Sequence, residues 1–441
     1  MSSSPRHPHL LYVAWGFPPG RTGGVYRALA TANSFARAGW RVSVLTIESR
    51  SFERFTGSDA SLLEAIHPNV TVIRTPFEWR LQETDMRRFS LGRALLPEVW
   101  WRRLRARIDR LGFPETHYGP WRTTAVRAAR ALHKAHPVDL TIATANPYVD
   151  FQVAYALHRS ADVPFVMDYR DAWTLDVFSG ATVHAKWSRV GRLERRYLAA
   201  AREVWFVNPP IRDWHARRYP NRANAMHVVE NGWDPALIGN PPPAGPKRKG
   251  SLRLGYLGTV TPLVPVGKLL EGWLLAKEQG LLPANASLDI AGYLGYFSNP
   301  QAELSRTIAT ATNQGVSFVG AVAKKAVWDF YGSVEGLILA LGEGSYVTSG
   351  KVYEYMASGK PILSVHDPRN HTTSVLRDYP LHVGVDEVSA SAVAEGLGRL
   401  AVLVERATEK ERAEASRVGA SKSRDTQLAP RVDALTQEFL R

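Results

Sequence analysis

A lysine and a glutamate three residues apart lie near the start of a predicted helix that follows a buried strand. The apolar run 336–340 predicts the strand, residues 342–349 form a loop, and a helix begins near Gly350. In parallel α/β sheets, ligands lie beyond the carboxyl ends of the strands and face the amino ends of helices. Ser349, Gly350 and Lys351 are therefore predicted to present amides and one ammonium to an anion such as a diphosphate.

Glu354 lies one turn into the same predicted helix, which runs through Ala357 and stops at Gly359. It shares a helical face with Gly350. A carboxylate in this position can accept hydrogen bonds from both hydroxyls of a ribose. The alternative is that Glu354 caps the helix or forms a local ion pair with Lys351.

Three charged residues, Asp168, Arg170 and Asp171, follow the buried strand predicted at 164–167. Charges at the carboxyl end of such a strand, with few polar neighbours in sequence, indicate a site in a cleft. The alternative is an internal network of ion pairs that fixes the following loop.

A pair of glycines, Gly23 and Gly24, separates the strand predicted at 10–14 from an amphipathic helix. Glycines at this point allow a backbone to approach a phosphate or sugar at the amino end of a helix. The same pair is also compatible with a tight strand-to-helix connection, so the signal is weak when taken alone.

Several kinds of chemistry are excluded by what the sequence lacks. It has no cysteines, which excludes disulfides, thiolate zinc sites and a cysteine nucleophile. Walker, HExxH and GxSxG motifs are absent. No Asp-x-Asp pair or histidine cluster marks a metal site, so metal-independent chemistry is predicted.

The basic charge has a local maximum between Arg87 and Arg107. The whole chain of 441 residues carries a formal net charge of +14, which suits a polyanionic partner. Leucines, Val99 and two tryptophans are interleaved with the arginines, which predicts an amphipathic basic helix over 87–107. Such a helix could be an acceptor lid or a peripheral membrane contact, whereas a solvated or core-packed helix is the structural alternative.

The chain is long enough for two domains. Strands and helices alternate twice along it, which predicts an α/β fold with two Rossmann-like domains facing across a cleft. We expect domains at 1–222 and 223–425, with the strand at 204–207 ending the first half and that at 227–229 opening the second. The apolar face of the last helix, 426–441, predicts that it packs back on the first domain. The polar amino terminus and short apolar runs predict a cytoplasmic chain.

Segments in order along the chain resemble family-4 glycosyltransferases. They are Phe17–Pro19 with Gly23, Gly24 and Arg27; Met167–Trp173; Val229–Pro235; Gly255–Gly258; Phe318–Gly320 with Val322; and Lys351–Ile362. The resemblance spans residues 10–365 and implies a GT-B fold, a nucleotide-diphosphate sugar as co-substrate, no cofactor, retention of anomeric configuration and no metal.

The resemblance also implies the roles of individual residues. Asp168, Arg170 and Asp171 would be catalytic. Donor-binding residues would be Gly23, Gly24, Arg27, Gly258, Thr259, Gly320, Val322, Tyr346, Ser349, Gly350, Lys351 and Glu354.

The sequence departs from the family pattern at three positions. Thr259 stands where the family usually has a phosphate-binding arginine, and 263–266 carries no cation where a lysine is usual. Tyr346 replaces a glutamate, with Glu343 three residues before it. Loss of phosphate cations removes stabilisation of a departing diphosphate, which Lys351, Arg27 or Arg170 could restore.

The predicted function is therefore metal-independent, hexosyltransferase-like transfer of a sugar from a nucleotide-sugar donor to an unidentified acceptor. A pseudo-glycosyltransferase or a GT-B epimerase is the alternative within the fold, motivated by the missing cations. A non-enzymatic basic protein that binds membranes or nucleic acid is a third interpretation, although no nucleic-acid motif supports it.

Overall fold

The computed structural model describes residues 7–242, 251–261, 263–294, 306, 308–342 and 344–440. Glu343 and most of the Pro- and Lys-rich loop predicted at 241–249 lie outside the described residues. The chain forms two compact units. The first contains the residues up to Asp176, Ala181–Glu230 and the residues from Leu428 onward. The second contains Val177–Gly180 and Asn231–Gln427.

The first unit contains a seven-stranded parallel sheet with the order β3-β2-β1-β4-β5-β6-β7. Its strands are β1 (His9–Val13), β2 (Arg41–Ile47), β3 (Val70–Thr75), β4 (Leu140–Ala145), β5 (Phe165–Tyr169), β6 (Glu203–Phe206) and β7 (Met226–Val228). Its helices are α1 (Gly23–Arg37), α2 (Ser49–Phe55), α3 (Leu91–Leu95), α4 (Glu98–Gly112), α5 (Trp121–Ala135), α6 (Val149–Ala161), α7 (Arg189–Ala200) and α8 (Pro209–Arg218). Short 3-10 helices lie at Ala60–Leu63, Arg80–Gln82, Met86–Arg88 and Pro220–Ala225.

The second unit contains a six-stranded parallel sheet with the order β10-β9-β8-β11-β12-β13. Its strands are β8 (Arg253–Leu257), β9 (Ser287–Ala291), β10 (Val316–Gly320), β11 (Gly336–Ala340), β12 (Ile362–Val365) and β13 (His382–Gly384). Its helices are α9 (Pro235–Ile238), α10 (Val266–Glu278), α11 (Val327–Gly332), α12 (Gly350–Ala357), α13 (Thr372–Leu376), α14 (Ala390–Arg406) and α15 (Glu409–Ala420). Short 3-10 helices lie at Thr312–Gln314 and Lys324–Ala326.

Strand order reverses once in each sheet, between β1 and β4 and between β8 and β11. At such a point the two connections leave in opposite directions, so a crevice opens beyond the carboxyl ends of the strands. Apolar side chains cover both faces of the second sheet, with α10 and α14 in one cluster and α11 and α12 in the other. The two predicted Rossmann-like sheets are thus confirmed.

The prediction for the strand at 227–229 was wrong. The strand β7 pairs in parallel with β6 and completes the first sheet, whereas we had expected it to open the second half. The helix α8 supplies the crossover between β6 and β7, as a parallel pair requires. The first unit consequently runs to Glu230, against the expected boundary at residue 222.

The single basic helix predicted over 87–107 is broken in the structure. A 3-10 turn at Met86–Arg88 and the short helix α3 precede Pro97, and α4 begins at Glu98. The proline ring disfavours helical backbone in the residue before it, which ends α3. Arginines and apolar residues of this segment therefore occupy two helices instead of one.

The last helix, α16 (Arg424–Phe439), packs within the first unit from Leu428 onward. Its side chains Leu428, Val432 and Leu435 are buried. The Trp40 indole N–H donates to the Thr436 hydroxyl at 2.9 Å, and the Trp40 ring lies 5.3 Å from that of Phe439, centroid to centroid. Both apolar burial and a specific hydrogen bond therefore hold α16 in place.

Candidate active site

The helix α12 begins beyond the carboxyl end of β11, at the reversal point of the second sheet. Its bounds confirm the predicted helix from Gly350 to Ala357. The Ser349 hydroxyl caps it by accepting from the Lys351 backbone N–H at 3.2 Å. The Tyr355 hydroxyl accepts from the Leu257 N–H at 2.7 Å and donates to its carbonyl at 3.2 Å, which fixes α12 against the end of β8.

Four polar side chains converge at the amino end of α12. The Lys351 ammonium lies 2.5 Å from Oε2 of Glu354, and the Lys324 ammonium lies 3.1 Å from Oε1. The Tyr331 hydroxyl donates to Oε2 at 3.2 Å. Side chains of both lysines are about three-quarters buried, 25% and 22% exposed. We refer to Lys324, Tyr331, Lys351 and Glu354 as the lysine cluster.

Burial and mutual charge perturb the pKa values of this cluster in opposite directions. Burial alone would raise the pKa of Glu354, but the ammoniums of Lys351 and Lys324 outweigh it and hold the pKa at about 2. Burial lowers the pKa of Lys351 to about 8, with Lys324 adding to the effect and Glu354 opposing it. Glu354 is therefore ionised at neutral pH, whereas Lys351 loses its proton when the pH rises to slightly above neutral.

Lys324 was not predicted from the sequence. It comes shortly after Gly320, the last residue of β10, and after Val322, and it is followed by Lys325. Two consecutive lysines at the carboxyl end of a sheet strand were the available signal. Lys324 supplies this site with a cation, which the segment 263–266 does not contain.

Two glycines, one directly after β8 and one directly after β9, approach one another closely. Gly258 donates its N–H to the Ala291 carbonyl at 3.0 Å. A Cβ at Gly292, which has φ of +128°, would lie 1.8 Å from the Gly258 carbonyl oxygen, so only glycine fits there. Thr259, which follows, is half-buried.

The other predicted donor-binding residues of the second unit lie at the end of β10 and on separate loops. Gly320 has φ of +78° and open space around its Cβ position, and Val322 packs beside the core that includes α12. The ring of Tyr346 packs against Gly180. Lys268, near the place where the family has a lysine, lies on α10 and pairs with Glu271 at 2.6 Å.

In the first unit, Arg170 lies over the amino end of α1. A Cβ at Gly24 would lie 2.4 Å from an Nη atom of Arg170, so the glycine makes room for the guanidinium; Gly23 has nothing within 4 Å of its Cβ position. Arg170 also pairs with Asp171 at 3.0 Å. Its side chain is 20% exposed, and together with the helix dipole it favours an anion.

Arg27 and Asp168 form a buried ion pair, with side-chain exposures of 2% and 0%. Arg27 Nη2 lies 2.7 Å from Oδ1 of Asp168, Nε lies 2.9 Å from Oδ2, and the Thr144 hydroxyl donates to Oδ2 at 3.1 Å. This geometry corresponds to the internal ion-pair alternative. The Asp168 carboxylate, which we predicted to face a ligand, is enclosed. The pair instead connects the end of β5 to α1 and positions Arg170 nearby.

A cavity of about 390 Å³ in the first unit was not anticipated. Its lining includes Arg102, Glu115, His117, Tyr118 and Asn146. Glu115 accepts the backbone N–H groups that begin α6 at 3.1 and 2.9 Å, yet burial raises its pKa to about 7. The cavity is therefore polar, with cationic and ionisable groups at its wall.

The fold matches that of known glycosyltransferases. Sucrose-phosphate synthase from Thermosynechococcus elongatus superposes with a TM-score of 0.64 at 17% identity, covering 98% of this chain and 99% of that one. A glycosyltransferase from Rickettsia africae gives 0.65 at 11% identity, with 99% of each chain covered. HepE of Anabaena, solved with UDP and glucose, gives 0.61 at 15% identity, covering 98% and 100%. No curated protein sequence matches the chain.

These superpositions establish the GT-B fold. Residues 22–232 also match the model of the glycosyl transferase 4-like domain. This part of the chain is therefore similar to the family-4 glycosyltransferases that the motifs of the sequence also resemble.

Proposed function

We propose that this chain transfers a hexosyl group from a nucleoside diphosphate sugar to an acceptor, with retention and without a metal. The lysine cluster supports this proposal most directly. Two partly buried ammoniums beside an ionised carboxylate provide one place for a diphosphate and an adjoining place for a ribose.

Glu354 already accepts three hydrogen bonds, from Lys324, Lys351 and Tyr331. A carboxylate has about four lone-pair sites, so both ribose hydroxyls cannot be added while all three remain. We infer that the donor's diphosphate takes over at least one ammonium and that the released carboxylate sites accept the ribose. The Ser349–Lys351 end of α12 adds backbone N–H groups to the same anion.

The lysines also suit the chemistry of transfer. Negative charge grows on the diphosphate as the sugar leaves, and fixed cations stabilise that charge without reorganisation. In our proposal the acceptor hydroxyl attacks from the face that the diphosphate leaves, and a phosphate oxygen takes its proton. No protein nucleophile is required.

We assign the acceptor to the first unit, where the cavity lined by Glu115 adjoins Asn146, at the end of β4. Arg170 donates to the Asn146 carbonyl at 3.4 Å, so the guanidinium and the cavity share one wall. Arg102 adds a cationic group, which favours an acceptor with an anionic group, whereas burial lowers the pKa of His117 and favours its neutral form.

The test is turnover with a panel of nucleotide sugars and candidate acceptors in the presence of EDTA. We expect release of nucleoside diphosphate and a new glycosidic bond, with the anomeric configuration of the donor retained by NMR. Loss of turnover in EDTA that Mn²⁺ restores would contradict metal independence. A product without a glycosidic bond would instead identify an epimerase.

Substitution Glu354→Gln should weaken the binding of nucleoside diphosphates by about tenfold or more, because the ribose loses a charged acceptor worth about 1.5–3 kcal/mol. Calorimetry with UDP, GDP and ADP measures the change. The matched control is Glu271→Gln, since Glu271 also pairs with a lysine three residues away but is half-exposed on α10. Unchanged affinity in Glu354→Gln would refute the assignment to ribose.

Affinity for the diphosphate should fall as the pH rises above about 8. Below the pKa of Lys351, about 8, the free and bound proteins are both protonated, so affinity is constant. Above it, the protein must take up a proton to bind, and affinity drops by at most about tenfold per pH unit. Calorimetry between pH 7 and 9 measures this, with the parent nucleoside as control. Lys351→Arg should remove the slope; a slope retained in that variant would assign the titration to another group.

A further inference from the structure

The helices α3 and α4 expose an unusual number of large apolar side chains. Six of them are Leu91 (81% exposed), Leu95 (80%), Trp100 (64%), Leu104 (50%), Ile108 (47%) and Leu111 (71%). Scattered apolar residues on a surface are ordinary, but a contiguous set marks a contact surface. We call these six residues the apolar patch.

The helical period places four members of the patch on one stripe of α4. Trp100, Leu104, Ile108 and Leu111 follow one another at spacings of four, four and three residues. The face of α4 next to this stripe is buried, through Trp101 and Asp109. The apolar stripe is therefore the outward face of a helix whose inward face already has its own partners.

A second stripe on the exposed surface of α4 consists of arginines. Arg103, Arg107 and Arg110 follow at spacings of four and three and adjoin the apolar stripe. The acids of α4 are engaged elsewhere, since Glu98 pairs with Arg102 at 3.1 Å and Asp109 pairs with Arg105. The exposed face therefore combines an apolar stripe with a cationic one, in a chain of net charge +14.

We propose that α3 and α4 dock this protein on the surface of an anionic lipid bilayer. The apolar patch enters the boundary between head groups and acyl chains, and Arg103, Arg107 and Arg110 contact the anionic head groups. Parallel apolar and arginine stripes along one helix are the arrangement of helices that lie in the plane of a membrane surface. Among the described residues, no helix has the length and apolarity that crossing a bilayer needs.

The cavity of the first unit lies against the same helix. Arg102 and Ala106 of α4 line that cavity, while the apolar stripe faces outward. Because Arg102 and Ala106 lie on the side of α4 away from the stripe, a docked chain holds the cavity about 10 Å, one helix diameter, from the lipid head groups. If the acceptor binds there, as the proposed function has it, docking brings an acceptor carried by a lipid within reach. Docking itself is independent of transfer activity and is tested without it.

The experiment is co-sedimentation of the full chain with vesicles of equal parts phosphatidylcholine and phosphatidylglycerol, and with phosphatidylcholine alone. We expect binding to the anionic vesicles that falls with added NaCl. Leu104→Asp/Ile108→Asp should weaken partitioning by about tenfold or more, because two large side chains no longer enter the bilayer. Arg103→Gln/Arg107→Gln/Arg110→Gln should remove the preference for anionic vesicles. Val402→Asp is the control, since Val402 is 47% exposed on α14 of the second unit.

Insertion can be observed directly, because the chain has no cysteine. An environment-sensitive dye on Ile108→Cys should brighten and shift to the blue on anionic vesicles, while the same dye on Val402→Cys should not. Equal binding of the parent and Leu104→Asp/Ile108→Asp with unchanged melting temperatures would overturn the proposal. So would self-association that this double variant abolishes, in a parent that binds no vesicles, since the patch would then contact a second copy.

Discussion

Lys351→Ala should lower the turnover number by about 10²-fold or more, the usual loss when one electrostatic stabiliser of a developing charge is removed. Its ammonium lies at the amino end of α12, where the backbone already favours an anion. Lys324→Ala should act in the same direction, since both ammoniums contact the Glu354 carboxylate. Steady-state kinetics with a saturating donor measure the effect on turnover.

Two further variants separate this role from that of a local ion pair. Lys268→Ala removes an exposed partner of Glu271 at the same helical spacing, and an exposed pair contributes at most about 1 kcal/mol, so its kinetics should stay near the parent. Arg170→Ala is the parallel test in the first unit. Turnover within a few-fold of the parent in both Lys351→Ala and Arg170→Ala would show that the diphosphate is held elsewhere.

Deletion of residues 426–441 should destabilise the first unit more than any single substitution described above. It removes the buried side chains of Leu428, Val432 and Leu435, each worth about 1.5–3 kcal/mol as an upper bound. It also exposes the ring of Trp40 and leaves the buried Glu203 without Arg431. Urea unfolding monitored by circular dichroism should show a lower midpoint for the first transition.

Point substitutions calibrate the deletion. Leu435→Ala should cost about 2–5 kcal/mol, because it opens a cavity in a packed interior. Leu440→Ala, at a residue that is 56% exposed, should leave the unfolding midpoint unchanged. A truncated chain with the melting temperature and activity of the parent would mean that α16 contributes neither packing nor support.

Apolar runs predicted strands of both sheets, such as those at 10–14, 164–167 and 336–340, because a buried parallel strand is apolar on both faces. Two strands were not predicted correctly. The strand β13, His382–Gly384, has only three residues and too little pattern to be seen. The strand β7 was found but placed in the wrong half, since its pairing with β6 depends on the crossover through α8 and not on its own residues.

In the candidate site, too, contacts within one element were predicted, whereas contacts between distant segments were not. Lys351 and Glu354 share a helix, so helical spacing predicted that they lie together. Lys324 reaches Glu354 from a 3-10 helix that begins 30 residues earlier, and Arg27 reaches Asp168 across 141 residues. Such contacts are decided by how strands are ordered within a sheet. Local spacing could therefore predict the charged residues but not that Asp168 would be enclosed by Arg27.

The placement of α16 sets the order in which the two units can mature during synthesis. A ribosome makes most of the first unit, including the short segment Val177–Gly180 of the second, then the rest of the second, and only afterwards the helix from Leu428 onward that completes the first. The second unit can fold while it leaves the ribosome, since its residues form one nearly continuous stretch. Until that helix is made, Trp40 lacks its hydrogen-bond partner Thr436, and Glu203 lacks its partner Arg431. The first unit is therefore begun first and completed last. On the nascent chain, the apolar surface that α16 later covers is the one that a chaperone would meet.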